Sequence, residues 1–311
     1  MTPTLLVMAA GLGSRYGGFK QVDRVGPSGE MLLEYAVFDA RRAGFRRVVF
    51  IIRDELADAF ANLKRSLPAD LDVSWVFQQA DRLPPWFVPR ARRKPWGTVH
   101  AVLSARDAIS APFAAVNADD FYGAAAYRLA MPACEDAARD GTSAVIGLPL
   151  SSTLSEHGPV VRGICQTAGG WLTGLDEVYG IERAADGARG MLAVRTFTAA
   201  TSDAITPRHE RSLTGRELAS MNFWVFAPAI FGLLEDRFDR FLRQRGDDPS
   251  AELPLPEAAN ELIQTRKLRV RAIEAPGPWF GLTHVDDRPK VVAGLRELHA
   301  RGEYPDPLWR Q

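Results

Sequence analysis

Short apolar runs alternate with amphipathic stretches along the first 125 residues of the chain. The runs LLVMAA, RRVVFII, DVSWVF and PFAAVNADD predict strands. The stretches EMLLEYAVFDARRAG, ELADAFANLKRSL and GTVHAVLSARDAI have the pattern of helices, and the first of them stops at Gly44. This β-α-β-α order predicts a largely parallel sheet that is covered by helices on both faces.

After about Ala125 the pattern changes to strand-like segments separated by glycine and proline. TSAVIGLPL, VVRGICQ, GWLTGLDEV and MNFWVFAP predict additional sheet in this half of the chain. PKVVAGLRELHARG predicts a closing amphipathic helix. We find no internal repeat, low-complexity tract or obvious linker, so the pattern favours one domain.

Composition limits the kinds of partner that the protein can have. The chain has 311 residues, of which 46% are hydrophobic and 24% are charged, as expected of a globular protein with a sizeable core. Its 38 basic residues balance 38 acidic ones, so no global field attracts nucleic acid or an anionic membrane. Two cysteines, Cys134 and Cys165, and no apolar segment of membrane-spanning length lead us to expect a cytoplasmic protein.

The first predicted strand leads directly into the glycine-rich sequence GLGSRYGGFKQ, which carries two cations, Arg15 and Lys20. Glycines such as Gly11 and Gly13 allow backbone N–H groups to approach a phosphate closely, so the loop predicts an anion-binding site. It lacks the third glycine of the dinucleotide fingerprint and the Gly-Lys-Ser/Thr ending of a P-loop. The two cations favour a more highly charged ligand, such as a triphosphate, and a solvated surface turn is the alternative.

MAAGLGSRYGGFKQ resembles the opening motif of the nucleotidyltransferases with a nucleotide-diphosphosugar-transferase (GT-A-like) fold, in which G-x-G-x-R is followed by a lysine. KPWGTVHAV, VNADDFYG and GWLTGLDEV resemble further motifs of this family in order and position. The resemblance implies an α/β fold with a Rossmann-like mixed, mostly parallel sheet and helices on both faces. It implies a single domain over 1–311, made of a nucleotide-binding half (1–125), an acceptor-binding half (126–288) and a C-terminal helix and tail (289–311).

The family resemblance also implies a reaction. A nucleoside monophosphate passes from a nucleoside triphosphate to a phosphorylated acceptor, such as a sugar 1-phosphate, and pyrophosphate is released. Because such transfer depends on positioning and charge neutralisation, we assign Arg15 to the β/γ-phosphates and Lys20 to the α-phosphate and the incoming phosphate. Ala10, Gly11 and Gly13 are expected to bind the nucleotide.

Asp119 and Asp120 follow an apolar run, which places them at the carboxyl end of a strand, at the same edge as the glycine-rich loop. Mg²⁺ prefers carboxylate and phosphate oxygens and takes one or two carboxylates from a protein. Asp119, which aligns with the metal ligand of the family, is the expected Mg²⁺ ligand. The alternative is that the pair caps a helix that begins near Gly123, and neighbouring strand residues can also divide the two roles.

The nucleobase is expected to contact Gln79, after the strand DVSWVF, and the turn of Gly97 and Thr98, which opens a helix. An amide donates and accepts in one plane, and glycine lets a base lie against the backbone. Gln78 takes the place of Gln79 if the register of the strand differs by one residue. Thr98 is alternatively only an N-cap.

The acceptor is expected to contact Glu177, which matches a sugar-binding glutamate of the family, and Asn222, which matches a position near the sugar. A structural hydrogen bond is the alternative for Asn222. Two positions depart from the family pattern. Val178 stands where a lysine is common, and Gly281 stands where a second metal-binding aspartate is common, so Asp286 is the substitute ligand that we expect.

The segment 81–96 is long and dense in proline, arginine and tryptophan. It is too polar for a core, so we expect a lid over the triphosphate, with a solvated surface excursion as the alternative. Three other functions remain open. They are transfer to phosphocholine or another phospho-alcohol, glycosyl transfer from a nucleotide sugar by a GT-A enzyme, and nucleotide binding by a non-catalytic regulatory protein.

Overall fold

The structure, a computed structural model, describes residues 2–11, 20–89, 92, 94–156, 158–184, 187–198, 201–282 and 285–309. The strands in these ranges are β1 (Thr4–Met8), β2 (Arg47–Ile52), β3 (Asp72–Phe77), β4 (Phe113–Asn117), β5 (Asp120–Phe121), β6 (Ser143–Pro149), β7 (Val160–Ala168), β8 (Trp171–Ala184), β9 (Gly187–Thr198), β10 (Thr201–Leu213), β11 (Leu218–Phe226), β12 (Val270–Glu274) and β13 (Phe280–Gly281). The α-helices are α1 (Leu32–Ala43), α2 (Ala57–Ser66), α3 (Thr98–Ser104), α4 (Gly123–Asp140), α5 (Ile230–Arg245), α6 (Leu255–Gln264) and α7 (Arg288–Ala300).

Eleven of the described strands form one mixed sheet in the order β10-β9-β8-β12-β6-β11-β4-β1-β2-β3, with β7 paired to β8 and β11. Parallel pairs join β1 to β2 and β4, β2 to β3, and β6 to β12. The other pairs of this sheet are antiparallel, including those that place β11 between β4 and β6. Because β1, β3 and β4 run in the same direction, the sequences that follow them meet at one edge of the sheet.

The side chains of β1 alternate between two hydrophobic cores. Leu5 and Val7 pack in the core under α1, α2 and α4, whereas Leu6 and Met8 pack in the core under α3, α5 and α6. A strand that is covered on both faces has to be apolar throughout, and β1 is buried along its whole length. The predicted α/β fold, with a mixed sheet and helices on both faces, is confirmed.

A two-stranded ribbon brings the C-terminal part of the chain to the sheet edge. β13 pairs antiparallel with β5, and Gly281 lies opposite Asp120. Helix α7 follows and packs, through Val291 and Leu295, in a third core with Tyr35 of α1. The segment around residue 281 is therefore fixed beside the ends of β1 and β4.

Sequence patterns located the first half well but missed helices α5 and α6 in the second half. DVSWVF is β3 as predicted, and α1 ends at Gly44, which adopts the left-handed conformation with φ 114°. Helices α5 and α6 lie where the pattern indicated sheet, whereas α4 begins at Gly123, where the sequence offered a helix only as part of the capping alternative for the two aspartates. Pro132 inside α4 interrupts the helical signal of that element. Among the described residues, no helix has the length and apolarity that crossing a bilayer requires.

Candidate active site

Lys20 and Asp119 come together at the sheet edge beyond β1 and β4. The Lys20 ammonium forms an ion pair with the Asp119 carboxylate, and its Nζ donates a hydrogen bond to the carbonyl oxygen of Leu282 at 3.2 Å. The N–H of Leu282 in turn donates to the carbonyl oxygen of Asp119 at 2.9 Å. The lysine and aspartate side chains are 17% and 22% exposed, so the pair is shielded but open to a ligand.

A cavity of about 470 Å³ contains this ion pair. Six of the residues predicted from the sequence line it: Ala10, Gly11, Lys20, Gly97, Thr98 and Asp119. The parallel strands explain this convergence, because each of these residues lies in or beyond a loop at the carboxyl edge of the sheet. The volume is in the range of pockets that hold small ligands.

Gly97 fixes one wall of the cavity. Its φ is 96°, and a Cβ at this position would lie 2.5 Å from the carbonyl oxygen of Leu253. The N–H of Leu253 donates to the carbonyl oxygen of Trp96 at 2.9 Å, so the two segments are in direct backbone contact. A side chain at residue 97 would separate them, which explains why glycine is needed here.

Thr98 does not cap the helix that it begins. Gly97 occupies the N-cap position of α3, and no side chain caps this helix. The Thr98 hydroxyl instead accepts a hydrogen bond from the N–H of Leu255, the first residue of α6, at 2.7 Å. The N-cap alternative for Thr98 is therefore wrong, since its oxygen serves a helix that lies 157 residues further along the chain.

Gln78 and Gln79 lie differently with respect to the cavity. The Gln78 side chain lines the cavity, and its Nε2 donates to the carbonyl oxygen of Gly97 at 3.3 Å. Gln79 is exposed and lines a neighbouring cavity of about 390 Å³, which Ala10 and Gln78 also line. The structure therefore brings Gln78, the register alternative, to the Gly97 turn. Gln79 lines only the neighbouring cavity.

Asp120 points away from Asp119 into the protein. Its Oδ2 accepts hydrogen bonds from Asn117 Nδ2 at 2.7 Å and from the Tyr122 hydroxyl at 3.2 Å. Burial, followed by the charge of Asp119, raises the pKa of Asp120 to about 7. No side chain caps α4, so the alternative that these aspartates cap this helix is wrong.

Asn222 uses both ends of its amide within the protein. Its Nδ2 donates to Asn117 Oδ1 at 2.7 Å, and its Oδ1 accepts from Trp224 Nε1 at 3.1 Å. Its φ of 64° is unusual for a residue other than glycine. These bonds are the structural hydrogen bonds that the sequence left open as the alternative.

Glu177 lies on β8, opposite Gly163 of β7, and its Oε2 accepts a hydrogen bond from the Tyr179 hydroxyl at 2.5 Å. The next residue, Val178, is fully buried in a core with Ile164 and Ile181. A lysine at 178 would place its charge in this apolar cluster, at a high desolvation cost. This environment explains the departure from the family pattern at residue 178.

Asp286 does not share the cavity of Asp119. It is exposed and lines a separate cavity of about 520 Å³ beside Arg162. At Gly281, a Cβ would lie 2.5 Å from the Trp279 ring and 2.8 Å from Asp120 Oδ1, so a side chain there would require Trp279 and Asp120 to move. The expectation that Asp286 replaces a carboxylate at 281 thus gains no support from the placement of the two aspartates.

Arg92 and Trp96 anchor the C-terminal end of the segment 81–96 to the rest of the protein. The Arg92 guanidinium lies 3.4 Å from the centre of the Trp96 ring and donates to the carbonyl oxygens of Asp248 at 3.0 Å and Ala251 at 2.5 Å. Trp96 is fully buried, and its Nε1 donates to Ala80 O at 2.8 Å. Trp96 packs against α5, whereas the other described residues of the segment are half-buried or exposed, so the prediction that the segment is too polar for a core fails only at its last residue.

Two predicted residues, Gly13 and Arg15, lie outside the described residues. Sequence reasoning in turn missed Asn117 and Tyr122, which hold Asp120, and His100, which contacts Gln78 at 3.2 Å. The only available signal was position, since Asn117 stands two residues before Asp119 and His100 stands one turn after Gly97. Their partners come from other elements and could not be identified from spacing.

No family model and no curated protein sequence matches the chain, but solved structures do. An inositol-1-phosphate CTP transferase from T. maritima has 11% identity and a TM-score of 0.60, with 95% of this chain and 97% of that chain covered. A putative glucose-1-phosphate thymidylyltransferase from Bacillus anthracis has 12% identity and a TM-score of 0.60, with 95% and 96% covered. A UTP-bound UGPase from Acinetobacter baumannii has 15% identity and a TM-score of 0.55, with 96% and 94% covered. The chain therefore has the fold of these transferases over nearly its whole length.

Proposed function

We propose that the protein is a nucleotidyltransferase. An oxygen of a phosphorylated acceptor attacks the α-phosphorus of a nucleoside triphosphate in line, and pyrophosphate leaves. The observation that carries the proposal is the Lys20–Asp119 pair, which lies in one cavity with Gly11 and Gly97. The proposal is also supported by the fold, which the protein shares with a CTP transferase, a putative thymidylyltransferase and a UTP-bound UGPase.

The reaction needs no nucleophile from the protein, which has to position the phosphates and neutralise their charge. Two unit anions about 4 Å apart repel each other by about 4 kcal/mol at an effective dielectric constant of roughly 20, so the charge of the phosphates has to be offset locally. Lys20 is suited to this role because its hydrogen bond to Leu282 O holds the ammonium at the sheet edge before the substrate arrives. Arg15 is assigned to the β/γ-phosphates on the sequence alone.

Asp119 is the residue that would hold Mg²⁺. Its carboxylate lies in the cavity, where Oδ2 pairs with Lys20, whereas Asp120 is buried and its Oδ2 accepts hydrogen bonds from Asn117 and Tyr122. Among the described residues, no group of three or more His, Cys, Asp or Glu side chains gathers at one point. One carboxylate together with phosphate oxygens is a donor set that Mg²⁺ accepts, and the bound ion would neutralise charge on the phosphates.

The acceptor is proposed to be a sugar 1-phosphate, bound by residues 126–288 while residues 1–125 of the same domain bind the nucleotide. Glu177 is assigned to a sugar hydroxyl because it matches the sugar-binding glutamate of the similar family and because an ionised carboxylate accepts hydrogen bonds. Asn222 could reach the acceptor only by giving up its bond to Asn117 or Trp224. The named substrates of the similar structures include inositol 1-phosphate and glucose 1-phosphate, which supports this acceptor class.

The test is pyrophosphate release from each of ATP, CTP, GTP, UTP and dTTP, with Mg²⁺ and a panel of sugar 1-phosphates, inositol phosphates and phosphocholine. We expect pyrophosphate that depends on both substrates, together with a nucleotide-linked product identified by mass spectrometry. Binding of a triphosphate without pyrophosphate release would favour a regulatory protein. Transfer of sugar from a nucleotide sugar, with no pyrophosphate, would favour a glycosyltransferase.

A further inference from the structure

His100 is a polar residue buried in the core under α3, and the proposed chemistry gives it no role. Its side chain is 3% exposed and stacks on Phe238, with 5.4 Å between the ring centres. It lies one helical turn after the cavity wall at Gly97. A buried imidazole has to satisfy its ring nitrogens with specific partners.

The partners of His100 determine which nitrogen carries the proton. Nε2 lies 3.2 Å from the carbonyl oxygen of Arg82, which can only accept, so Nε2 carries a hydrogen. Burial, and then the nearby charges of Arg92 and Arg82, lowers the pKa of His100 and favours the neutral ring. A neutral imidazole has one N–H group, so Nδ1 is an acceptor.

This assignment fixes the orientation of the Gln78 amide. One end of the amide lies 3.2 Å from His100 Nδ1 and 3.3 Å from Gly97 O, and both of these atoms are acceptors. Only the NH₂ group can satisfy two acceptors, because an oxygen at this end would face two lone pairs. Within the described residues the opposite end, Oε1, has no hydrogen-bond partner, and Gln78 lines the cavity.

We infer that His100 is a positioning residue for nucleobase selection: it holds Gln78 so that Oε1 accepts an N–H group of the base. This inference rests on the proposed function, since it takes the ligand of the cavity to be a nucleoside triphosphate. The group recognised is a ring N–H or an exocyclic amino group. A Gln78 amide that was free to rotate would offer donors as readily as an acceptor, and the discrimination between base edges would fall.

The experiment compares variants that differ in the acceptor at the Nδ1 position. His100→Leu removes it, His100→Phe removes it but keeps a ring against Phe238, and His100→Asn replaces Nδ1 with an amide oxygen. Ser104→Ala is the matched control, because its buried hydroxyl bonds to the carbonyl oxygen of His100 without touching Gln78. Dissociation constants of ATP, CTP, GTP and UTP are measured by calorimetry, and kcat and KM by pyrophosphate release.

We expect His100→Leu and His100→Phe to raise KM for the best triphosphate about tenfold and to reduce its kcat/KM advantage over the worst one by a similar factor, with kcat changed less than about threefold. His100→Asn should recover most of the selectivity, and Ser104→Ala should keep all of it. Unchanged selectivity in His100→Phe or in Gln78→Leu, with active enzyme, overturns this inference alone. A wild-type protein that binds no triphosphate overturns the proposed function and this inference with it.

Discussion

The Lys20 ammonium has three hydrogens to donate, and the described contacts with Asp119 and Leu282 O occupy two of them. The third is available to a phosphate oxygen. The protein therefore orients the Lys20 ammonium and leaves one of its N–H groups to donate to the substrate. An interaction that strengthens as charge develops on the α-phosphate raises turnover more than ground-state affinity.

Lys20→Ala should lower kcat by about 10²-fold, with a much smaller effect on the triphosphate dissociation constant. Steady-state pyrophosphate release and calorimetry measure the two quantities. Lys64→Ala, on the exposed face of α2, is the matched loss of a lysine and should leave both unchanged. Unchanged turnover in Lys20→Ala would remove this residue from the mechanism.

Asp119→Asn should abolish most of the Mg²⁺-dependent activity and leave the melting temperature nearly unchanged. The substitution keeps the size of the side chain but loses the charge, and Asp119 caps no helix. The measurements are a Mg²⁺ titration of pyrophosphate release and a thermal melt. A variant that melts much earlier but retains its activity per folded molecule would show that Asp119 is a structural residue.

At the scale of elements, the segment 81–96 is held on the connection between α5 and α6 by Arg92. Arg92→Ala removes the stacking on Trp96 and leaves the carbonyl oxygens of Asp248 and Ala251 without this donor. We expect the free energy of unfolding to fall by about 1–3 kcal/mol, measured by denaturant titration.

The control for Arg92 is Arg82→Ala in the same segment. Arg82 pairs with Asp107, but the two side chains are 58% and 78% exposed, so we expect a loss below about 0.5 kcal/mol. If the two variants have the same free energy of unfolding and KM for the triphosphate rises in Arg92→Ala, the result would favour the lid interpretation.

The convergence of Lys20 and Asp119 could be predicted from sequence, because each follows an apolar run and parallel strands end at one edge. The roles of Thr98 and Asn222 could not. Their partners, Leu255 and Asn117, lie more than 100 residues away in sequence, and spacing contains no information on such pairs. Arg92 misled for a related reason, because its guanidinium donates to the carbonyl oxygens of Asp248 and Ala251, which lie more than 150 residues away in sequence.

For the whole molecule, a buried carboxyl makes stability depend on pH. Asp39 is 1% exposed, and burial raises its pKa to about 7, although the Tyr304 hydroxyl donates to it at 2.6 Å. An acid whose pKa is higher in the folded state makes its full contribution to the free energy of unfolding at pH values below its unfolded pKa, which is near 3.8. That contribution is lost as the pH rises toward 7 and is absent above it.

The free energy of unfolding of Asp39→Asn, relative to that of wild type, should therefore increase by about 1–3 kcal/mol as the pH rises from 4 to 8. The asparagine oxygen can still accept from Tyr304. Denaturant unfolding of both proteins at several pH values measures the difference. Asp58→Asn, on the exposed surface of α2, is the control and should show no such dependence on pH. If the difference in free energy of unfolding between Asp39→Asn and wild type does not change with pH, the Asp39 carboxyl ionises equally in the folded and unfolded states.

The hydrogen bond from Lys20 to Leu282 joins residues that are 262 positions apart. During synthesis on the ribosome, the N-terminal half therefore emerges with its lysine lacking the carbonyl group that orients it. Only a polypeptide that extends beyond residue 282 acquires this contact. A chain that ends before residue 282 lacks the carbonyl group that orients Lys20, so any triphosphate that it bound would be held without the arrangement that the reaction requires.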